Sequence, residues 1–345
     1  GDDGSAGLSY LQTAAAQIAS VLPPKSVVVN KSTVPVGSTE VVARVLGRND
    51  VAVVSNPEFL REGTAVDDFL NPDRVVIGSA DQEAAIRVAG LYSKVRAPVM
   101  VTDPVSAETI KYASNAFLAS KLSFVNAIAN LCEAVGADVN DVVLGMGYDH
   151  RIGKEFLKPG PGWGGSCFPR DTIAMVRIAE DHGYDFTFLR EVLRVNDEQF
   201  DRTAQKVLDA LVSQSASDDA AGEAAGRTIG VWGLTFKAGT DDLRMSPAIE
   251  VLKRVTAAGV KVKAFDPAVH SSLVELPDVE VVSDAYDAVD GADLLCVMTE
   301  WDQFRWLDFD LVKERMSGNC VVDGRNLLDR HQLLRRGFTY RGIGR

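Results

Sequence analysis

The sequence is poor in the features that mark metal-binding, membrane-spanning and nucleic-acid-binding proteins. Its 345 residues include only four cysteines and four histidines. The cysteines are widely spaced and form no C-x-x-C pair, so there is no signature of a zinc site or a dithiol site. No apolar run approaches the roughly 20 residues that span a bilayer. Acidic residues outnumber basic ones by 48 to 36, and the net charge of −12 disfavours nucleic acid and anionic membranes as partners.

The length is sufficient for two or three domains, each with its own apolar core. The sparse, unpaired cysteines are typical of a protein in a reducing compartment, and we expect a cytoplasmic location. The first residues, GDDGSAGLSY, resemble neither a signal peptide nor a start at methionine. They predict a loop that leads into a helix.

An alternation of strands and helices in the first 104 residues predicts an α/β domain with a parallel sheet. The predicted strands are 26–30, 51–55, 74–79 and 97–102, and the predicted helices are 8–22, 38–47 and 81–93. No strand followed by a glycine-rich turn precedes residue 8. We therefore expect residues 1–104 to be the remainder of a dinucleotide-binding domain whose first βαβ units are missing.

The rest of the chain predicts a helical domain at 105–212, a linker at 213–227 and a second α/β domain at 228–345. The apolar positions of the long helix after Ser106 follow helical spacing, from Ile110 and Phe117 to Val125 and Cys132. The expected strands of the last domain are 228–233, 261–266, 293–299, 319–324 and 338–343. A helix is expected to begin at Pro247, with Ser246 as its N-cap. The predicted fold class is α/β, with two doubly wound Rossmann-like regions joined by a helical middle domain.

The stretch GPGWGGSCFPRD (160–171) contains G-x-G-x-x-G, the pattern of a dinucleotide-binding turn. Such a turn requires a preceding strand, and GKEFLKP (153–159) has no strand pattern. The glycines instead predict a turn that approaches a ligand closely and holds Cys167 near the start of a helix. The helix dipole and Arg170 favour the thiolate there, whereas Asp171 opposes it. Cys167 is the candidate nucleophile; the alternative is a small buried cysteine.

Polar residues elsewhere form weaker candidates. Lys111 and Asn115 are spaced i, i+4 on the face of the long helix away from Phe117 and Val125, where a solvated helix face is the alternative. NKSTVPVGS (30–38) and NPEFLREG (56–63) each follow a predicted strand, at the end where α/β folds bind ligands.

Charged residues in two segments have both a functional and an ordinary interpretation. Glu58 and Glu62 are either site residues or solvated loop acids. GLTFKAGTDDLR (233–244) replaces the glycine turn of the last domain, and its Lys237 and Arg244 either suit a diphosphate or are merely exposed.

Several blocks together resemble one family, the UDP-glucose/GDP-mannose dehydrogenases. They occur in the family's order over essentially the whole chain: NKSTVPVGS, SNPEFLREGTAVDDFLNPDRVVIG, IKYASNAFLASKLSFVNAIANLCEAVGAD, RIGKEFLKPGPGWGGSCFPRD, GLTFKAGTDDLRMSPAIE and VVDGRNLLD. HRIGKEFL before GGSCFPRD most resembles the members that oxidise UDP-glucose at C6. The family's amino-terminal G-x-G-x-x-G turn and its acidic ribose contact have no counterpart, so we expect the first part of the NAD-binding domain to be absent.

The resemblance implies an oxidoreductase of nucleotide-sugar metabolism that converts UDP-glucose to UDP-glucuronate with two NAD. Cys167 would attack the aldehyde and form a thiohemiacetal, then a thioester, which water hydrolyses. The implied catalytic residues comprise the nucleophile, two groups that stabilise the C6 oxyanion and three that handle protons and water: Cys167, then Lys111 and Asn115, then Asp171, Glu58 and Thr33. No metal is implied.

Ligand contacts are also implied by the resemblance. The UDP-sugar contacts are Phe59, Leu60, Lys158, Gly164, Phe236, Lys237 and Arg325. Arg151 would enter the site of a neighbouring subunit, which implies a homodimer through the helical domain. The NAD contacts are Ser32, Thr33, Glu62, Arg170 and Arg244. Two alternatives stay open: a dehydrogenase of another nucleotide sugar (GDP-mannose or a UDP-N-acetyl-hexosamine), or a UDP-sugar-binding fragment without activity.

Overall fold

The computed structural model describes residues 7–213 and 224–345. The chain forms two compact units. The first runs up to Phe117 and also contains Arg170–Thr187, and the second contains Leu118–Pro169 and everything from Phe188 onward. Most of the expected linker at 213–227 falls outside the described residues.

The first unit contains a four-stranded sheet with helices on both faces. Its strands, in spatial order, are β1 (Val27–Asn30), β2 (Ala52–Ser55), β3 (Val75–Gly78) and β4 (Val99–Thr102). Its complete helices are α1 (Ser9–Ala19), α2 (Ser38–Leu46), α3 (Ala65–Leu70) and α4 (Gln82–Leu91). Apolar residues of α1 and α2 form one core with β1 and β2, while α4 forms another with β2 and β3.

The direction of β3 corrects the expectation of a wholly parallel sheet. β1 and β2 are parallel, as are β3 and β4, but β2 and β3 pair antiparallel through Ser55 and Gly78. The connection between β2 and β3 contains only the six-residue α3, whereas the crossover between two parallel strands usually contains a longer helix. Because β1 and β2 are parallel, the segments that follow them, 31–37 and 56–64, begin at the same edge of the sheet.

Four helices form the middle of the chain: α5 (Pro104–Val135), α6 (Val139–Gly147), α7 (Phe168–Asp181) and α8 (Thr187–Val212). α5 passes from the first unit into the second, and α7 begins in the second and continues in the first. The predicted apolar face of α5 is partly wrong, since Val125 and Cys132 are buried but Phe117 is 66% exposed.

The second unit contains a six-stranded parallel sheet in the order β10-β9-β8-β5-β6-β7. Its strands are β5 (Thr228–Trp232), β6 (Lys261–Phe265), β7 (Glu280–Val281), β8 (Leu294–Val297), β9 (Cys320–Asp323) and β10 (Thr339–Gly342). Its helices are α9 (Pro247–Ala257), α10 (Ala285–Val289), the 3-10 helix Asp302–Trp306, α11 (Phe309–Arg315) and α12 (Arg330–Arg335). All five predicted strands are present; β7 and α10–α12 were not predicted.

The expected order of an α/β region, a helical region and a second α/β region is confirmed. The domain boundaries at 104, 212 and 227 stay predictions. One local prediction is wrong in its mechanism: Ser246 precedes α9 but its side chain does not cap the helix. Its hydroxyl donates instead to the carbonyl of Leu234, at 2.6 Å.

Candidate active site

In the first unit, one side of α5 contacts three segments that carry predicted site residues. Glu108, Lys111 and Asn115 are spaced i, i+3 and i+7, so they lie on one face of the helix. All three are buried. Their polar groups reach the start of α2, the loop after β2 and the first turn of α7, respectively.

Lys111 pairs with the loop that follows β2. Its side-chain nitrogen lies 3.3 Å from a carboxylate oxygen of Glu58 and 5.4 Å from the ring centre of Phe59. Arg74 stacks on the same ring at 3.8 Å, and the other oxygen of Glu58 accepts a hydrogen bond from the amide of Leu60 at 2.6 Å. Lys111 is only 4% exposed. The solvated-face interpretation of this lysine is therefore wrong, and so is that of Glu58 as a free loop acid.

Asn115 holds a buried carboxylate at the start of α7. Its amide nitrogen donates to Asp171 at 2.6 Å, and the second oxygen of Asp171 accepts from Nε of Arg170 at 3.1 Å. Asp171 is almost fully buried, and Asn115 is 8% exposed. Burial of Tyr112, followed by the nearby Asp171 charge, raises the pKa of this tyrosine to about 12, which keeps its hydroxyl neutral.

Glu108 holds the loop that carries Ser32 and Thr33, and the sequence analysis missed it. Its carboxylate accepts hydrogen bonds from the amide of Gly37 at 2.5 Å and from both the amide and the hydroxyl of Thr39. A carboxylate at this point satisfies the free amides at the start of α2 and complements the helix dipole. The signal in the sequence was an acidic residue three positions before Lys111 on a helix that is otherwise largely apolar.

The end of β1 has groups that suit a nucleotide cofactor. The side-chain amide nitrogen of Asn30 is buried and has no hydrogen-bond partner, a state that costs free energy unless a ligand or water supplies an acceptor. Ser32 is exposed and Thr33 is half-buried directly after it. Hydroxyl and amide groups at the carboxyl end of a strand fit the ribose and carboxamide groups of NAD.

In the second unit, Cys167 is the residue immediately before α7, as predicted. It is half-buried, and its sulfur lies 3.6 Å from the hydroxyl of Ser166. The other three cysteines, Cys132, Cys296 and Cys320, are buried among apolar side chains. Of the four cysteines, all of which lie within the described residues, Cys167 alone is accessible for chemistry.

The glycines before Cys167 permit close packing, and residues 154–159 form no strand, as expected. A Cβ on Gly164 would lie 1.8 Å from the carbonyl oxygen of Met245. Gly162 and Gly165 have φ angles of +131° and +84°, and a Cβ on either would lie within 3 Å of an aromatic ring. The loop thus requires glycine for steric reasons, and its match to a dinucleotide fingerprint is accidental.

Buried amide side chains of α5 and α8 also form hydrogen bonds to the backbone of this loop. Asn126 of α5 accepts from the amide of Gly160 at 2.9 Å, and Gln199 of α8 donates to the carbonyl of Gly160 at 2.8 Å. Asn196 of α8 accepts from the amide of Trp163 and donates to its carbonyl, at 2.8 and 2.9 Å. These side chains were not predicted; their signal was a set of amides within two apolar-patterned helices.

The predicted sugar-nucleotide residues of the last domain are also in the second unit. Arg325 donates from Nε to the carbonyl of Met298 at 2.8 Å and from a terminal nitrogen to that of Phe236 at 3.1 Å. Lys237 lies over the Phe236 ring at 5.5 Å. Arg325 is thus fixed next to Phe236 at the carboxyl ends of β8 and β9.

Three other predicted cations lie at the surface of the second unit. Lys158 is exposed. Arg151 forms a two-pronged ion pair with Asp149, with a closest distance of 2.6 Å. Arg244 is paired in the same way with Asp242 at 2.8 Å, so the diphosphate interpretation of Arg244 requires this pair to open or to be shared.

Three family models match the chain: the NAD-binding domain over residues 1–96, the central domain over 105–198 and the UDP-binding domain over 230–330 of the UDP-glucose/GDP-mannose dehydrogenase family. The chain belongs to the UDP-glucose/GDP-mannose dehydrogenase family. The expectations of an oxidoreductase and of NAD as its cofactor are confirmed. The expectation that the first part of the NAD-binding domain is absent is not supported, because that family model matches from residue 1.

Individual relatives and solved structures agree with the family assignment. A UDP-glucose 6-dehydrogenase of Rhizobium meliloti is 44% identical over 99% of this chain and 79% of its own length. The structure of a UDP-glucose dehydrogenase from Pyrobaculum islandicum covers all of this chain with a TM-score of 0.87 and 38% identity, over 77% of that protein. A UDP-D-ManNAc dehydrogenase from Pyrococcus horikoshii has a TM-score of 0.83 and 26% identity, over 99% and 78% of the two chains.

Two further properties concern the described residues alone. Within 7–213 and 224–345, every helix is too short or too polar to cross a bilayer. The same part of the chain brings together no group of three His, Cys, Asp or Glu side chains that could hold a metal ion.

Proposed function

We propose that this protein oxidises the C6 alcohol of UDP-glucose to the carboxylate of UDP-glucuronate, with NAD as the oxidant in each of two steps. The observation that carries the proposal is the burial of a cation and an amide, Lys111 and Asn115, beside the carboxylates Glu58 and Asp171. Buried groups of this kind stabilise an oxyanion and move protons. The accessible Cys167 supplies the nucleophile.

NAD, when bound, accepts the hydride in each oxidation, and its proposed contacts are Ser32, Thr33, Glu62, Arg170 and Arg244. In the first oxidation Asp171 accepts the proton of the C6 hydroxyl as C6 becomes an aldehyde. Lys111 and Asn115 donate hydrogen bonds to the C6 oxygen, where negative charge develops. Asn115 already holds the Asp171 carboxylate in place, which fixes the base before substrate arrives.

The second oxidation depends on Cys167. Its thiolate forms a C–S bond to the aldehyde carbon, and the carbonyl π electrons move to oxygen, which takes a proton and gives a thiohemiacetal. Loss of a hydride from carbon and of a proton from oxygen gives the thioester. Water, positioned by Glu58 and Thr33, then adds to the thioester carbon; the C–S bond breaks, and the thiolate leaves with its electron pair.

The proposed UDP-sugar contacts are the residues that the family resemblance implies. From the first unit these are Phe59 and Leu60. From the second they are Lys158, Gly164, Phe236, Lys237 and Arg325. Arg325 and Lys237 supply positive charge for the diphosphate in a chain whose net charge is −12.

We also propose that two copies associate through α5 and α6, in the cytoplasm. Phe124 and Leu131, one heptad apart on α5, are 53% and 55% exposed, and Leu144 of α6 and Tyr148 directly after this helix are also exposed. An exposed apolar stripe at heptad spacing is typical of a helix that another helix covers, and two identical stripes suit a two-fold interface. Arg151, which is exposed on the segment after α6, would then serve the site of the second copy.

The association is tested by sedimentation of Leu131→Glu. The variant should sediment as a monomer, whereas Val274→Glu, which changes a fully exposed valine outside these helices, should remain a dimer. A dimeric Leu131→Glu would refute the proposed interface.

The reaction is tested by measuring NADH and acid with UDP-glucose, GDP-mannose and UDP-N-acetylmannosamine as competing substrates. We expect two NADH per UDP-glucuronate and the highest kcat/KM with UDP-glucose. Cys167→Ser should bind UDP-glucose yet lower acid formation by about 10³-fold or more. An aldehyde as the only stable product would exclude the mechanism. Faster turnover of another sugar would overturn only the substrate. UDP-glucose binding without turnover would indicate a binding protein.

A further inference from the structure

Polar side chains that have no part in the proposed reaction form hydrogen bonds to the backbone of the glycine loop before Cys167. Asn126 and Gln199 occupy the amide and the carbonyl of Gly160, and Asn196 occupies both backbone groups of Trp163. At each end of the segment 160–163, both the backbone amide and the backbone carbonyl are therefore hydrogen-bonded to a side chain. These side chains are at least nine-tenths buried.

A second layer of hydrogen bonds orients these side chains. Asn130 of α5 donates to the side-chain oxygen of Gln199 at 3.0 Å. The Trp163 indole donates to the hydroxyl of Ser123 at 2.9 Å, and that hydroxyl donates to the carbonyl of Val192 at 2.8 Å. Asn196 and Gln199 thus each have one available orientation, because the oxygen and the nitrogen of each side chain have specific partners.

Burying several amides costs free energy, and a loop can be held more simply by apolar packing. The hydrogen bonds from Asn126, Asn196 and Gln199, together called the clamp, do more than apolar packing does. They select a single backbone conformation for a segment whose glycines would otherwise allow many. The clamped segment ends four residues before Cys167. A displacement of residues 160–163 would therefore be passed along residues 164–166 to Cys167. Gly164, within that stretch, already packs closely against the backbone of Met245.

We propose that Asn126, Asn196 and Gln199 are positioning residues for Cys167: they fix the loop so that the thiol meets the aldehyde before the aldehyde can leave. This inference rests on the proposed function. Displacing a reacting group by about 1 Å can cost on the order of 100-fold in rate. Loss of the clamp should therefore slow the second oxidation far more than the first.

The test uses isosteric variants and a matched control. Gln199→Met and Asn126→Leu remove the hydrogen bonds to Gly160 while retaining side-chain size. Asn126→Asp retains an oxygen that accepts from the Gly160 amide and should restore most of the lost rate. The control is Thr203→Val on α8, which removes an equally buried hydrogen bond that ends on the helix backbone at Gln199, at 2.8 Å.

The decisive measurement is the ratio of NADH formed to UDP-glucuronate formed. In Gln199→Met and Asn126→Leu, acid formation should fall by about 10- to 100-fold and the ratio should rise above two, with aldehyde trapped by a hydrazine. Partial unfolding would lower both products together and leave the ratio at two. A ratio of two with a rate equal to that of Thr203→Val would overturn the proposal.

A second measurement does not need turnover. Freeing the loop should expose the half-buried thiol, so iodoacetamide should alkylate Cys167 severalfold faster in Gln199→Met than in Thr203→Val or the unaltered protein, as read by peptide mass. If the unaltered protein forms no acid, the proposed function fails, and this rate still decides the role of the clamp. Equal alkylation rates in all three proteins would overturn it.

Discussion

Replacing Gly164 by alanine is the most direct perturbation of the cysteine loop. The added Cβ would lie 1.8 Å from the carbonyl oxygen of Met245 and 3.1 Å from a ring carbon of Pro247. The first contact is with backbone, so no side chain can rotate away. The loop or the 245 peptide must retreat until that distance approaches the 3.4 Å of ordinary van der Waals contact.

A retreat of this size exceeds the displacement of about 1 Å that costs on the order of 100-fold in rate. The proposed sugar contact at Gly164 and the thiol three residues later both move with the loop. Overpacking of a close-packed region also destabilises by roughly 1–3 kcal/mol. We therefore expect Gly164→Ala to lower kcat for acid formation by at least about 100-fold, with a modest loss in the free energy of unfolding.

Gly90→Ala is the control. Gly90 lies within α4, outside the proposed interface, and a Cβ there would meet nothing within 4 Å. Alanine at that position should stabilise the helix by roughly 0.5–1 kcal/mol and leave turnover unchanged. NADH absorbance gives kcat for both variants, and urea titration gives their stability. A Gly164→Ala protein with the kcat of Gly90→Ala would refute the steric reasoning.

Three further predictions concern the first unit. Asn115→Leu removes a donor from the buried Asp171, so it should cost about 1–3 kcal/mol of unfolding free energy by urea titration and abolish most turnover; unchanged values for both would contradict the assigned pair. Glu108→Gln turns an acceptor oxygen into a donor facing the α2 amides, and calorimetry should show weaker NAD binding, whereas UDP-glucose affinity is retained. The Arg61 guanidinium lowers the pKa of Asp68 to about 2. The stabilisation of the folded protein by this ion pair is fully present above the ordinary aspartate pKa of about 4, and it is lost as the pH falls towards 2. Arg61→Met should therefore destabilise the protein at neutral pH but not near pH 2, and a cost independent of pH would refute this.

The elements of the fold were predictable where one periodicity governs a segment. The strand at 228–232 (TIGVW) is almost wholly buried, whereas in the strand at 261–265 (KVKAF) lysines alternate with apolar residues, and both were predicted to within one residue. The reversed direction of β3 was not predictable from alternation, because the direction depends on where the intervening loop packs. The short helices α10–α12 are too brief to establish a helical period.

The environment of the candidate residues was not predictable from the sequence, and their roles stay predictions. The glycines around Cys167 did indicate a turn before a helix, and the structure shows that positive φ angles and close contacts require glycine there. Lys111 and Asn115 looked equally like a solvated face, since the i, i+4 spacing does not reveal what covers a helix. Their burial depends on chain segments more than 50 residues away, and a local pattern carries no information about those partners.

The discontinuity of the first unit has a consequence for synthesis on the ribosome. Residues up to Phe117 leave the ribosome before Leu118–Pro169, yet Arg170–Thr187 belong to the same compact unit. At roughly 5–20 residues per second, the ribosome needs several seconds to supply that final segment. During this interval Asn115 has no Asp171 to hold. The nascent chain therefore presents an incomplete surface to chaperones and proteases until residue 187 has emerged, and slow codons within 118–187 would prolong this exposure.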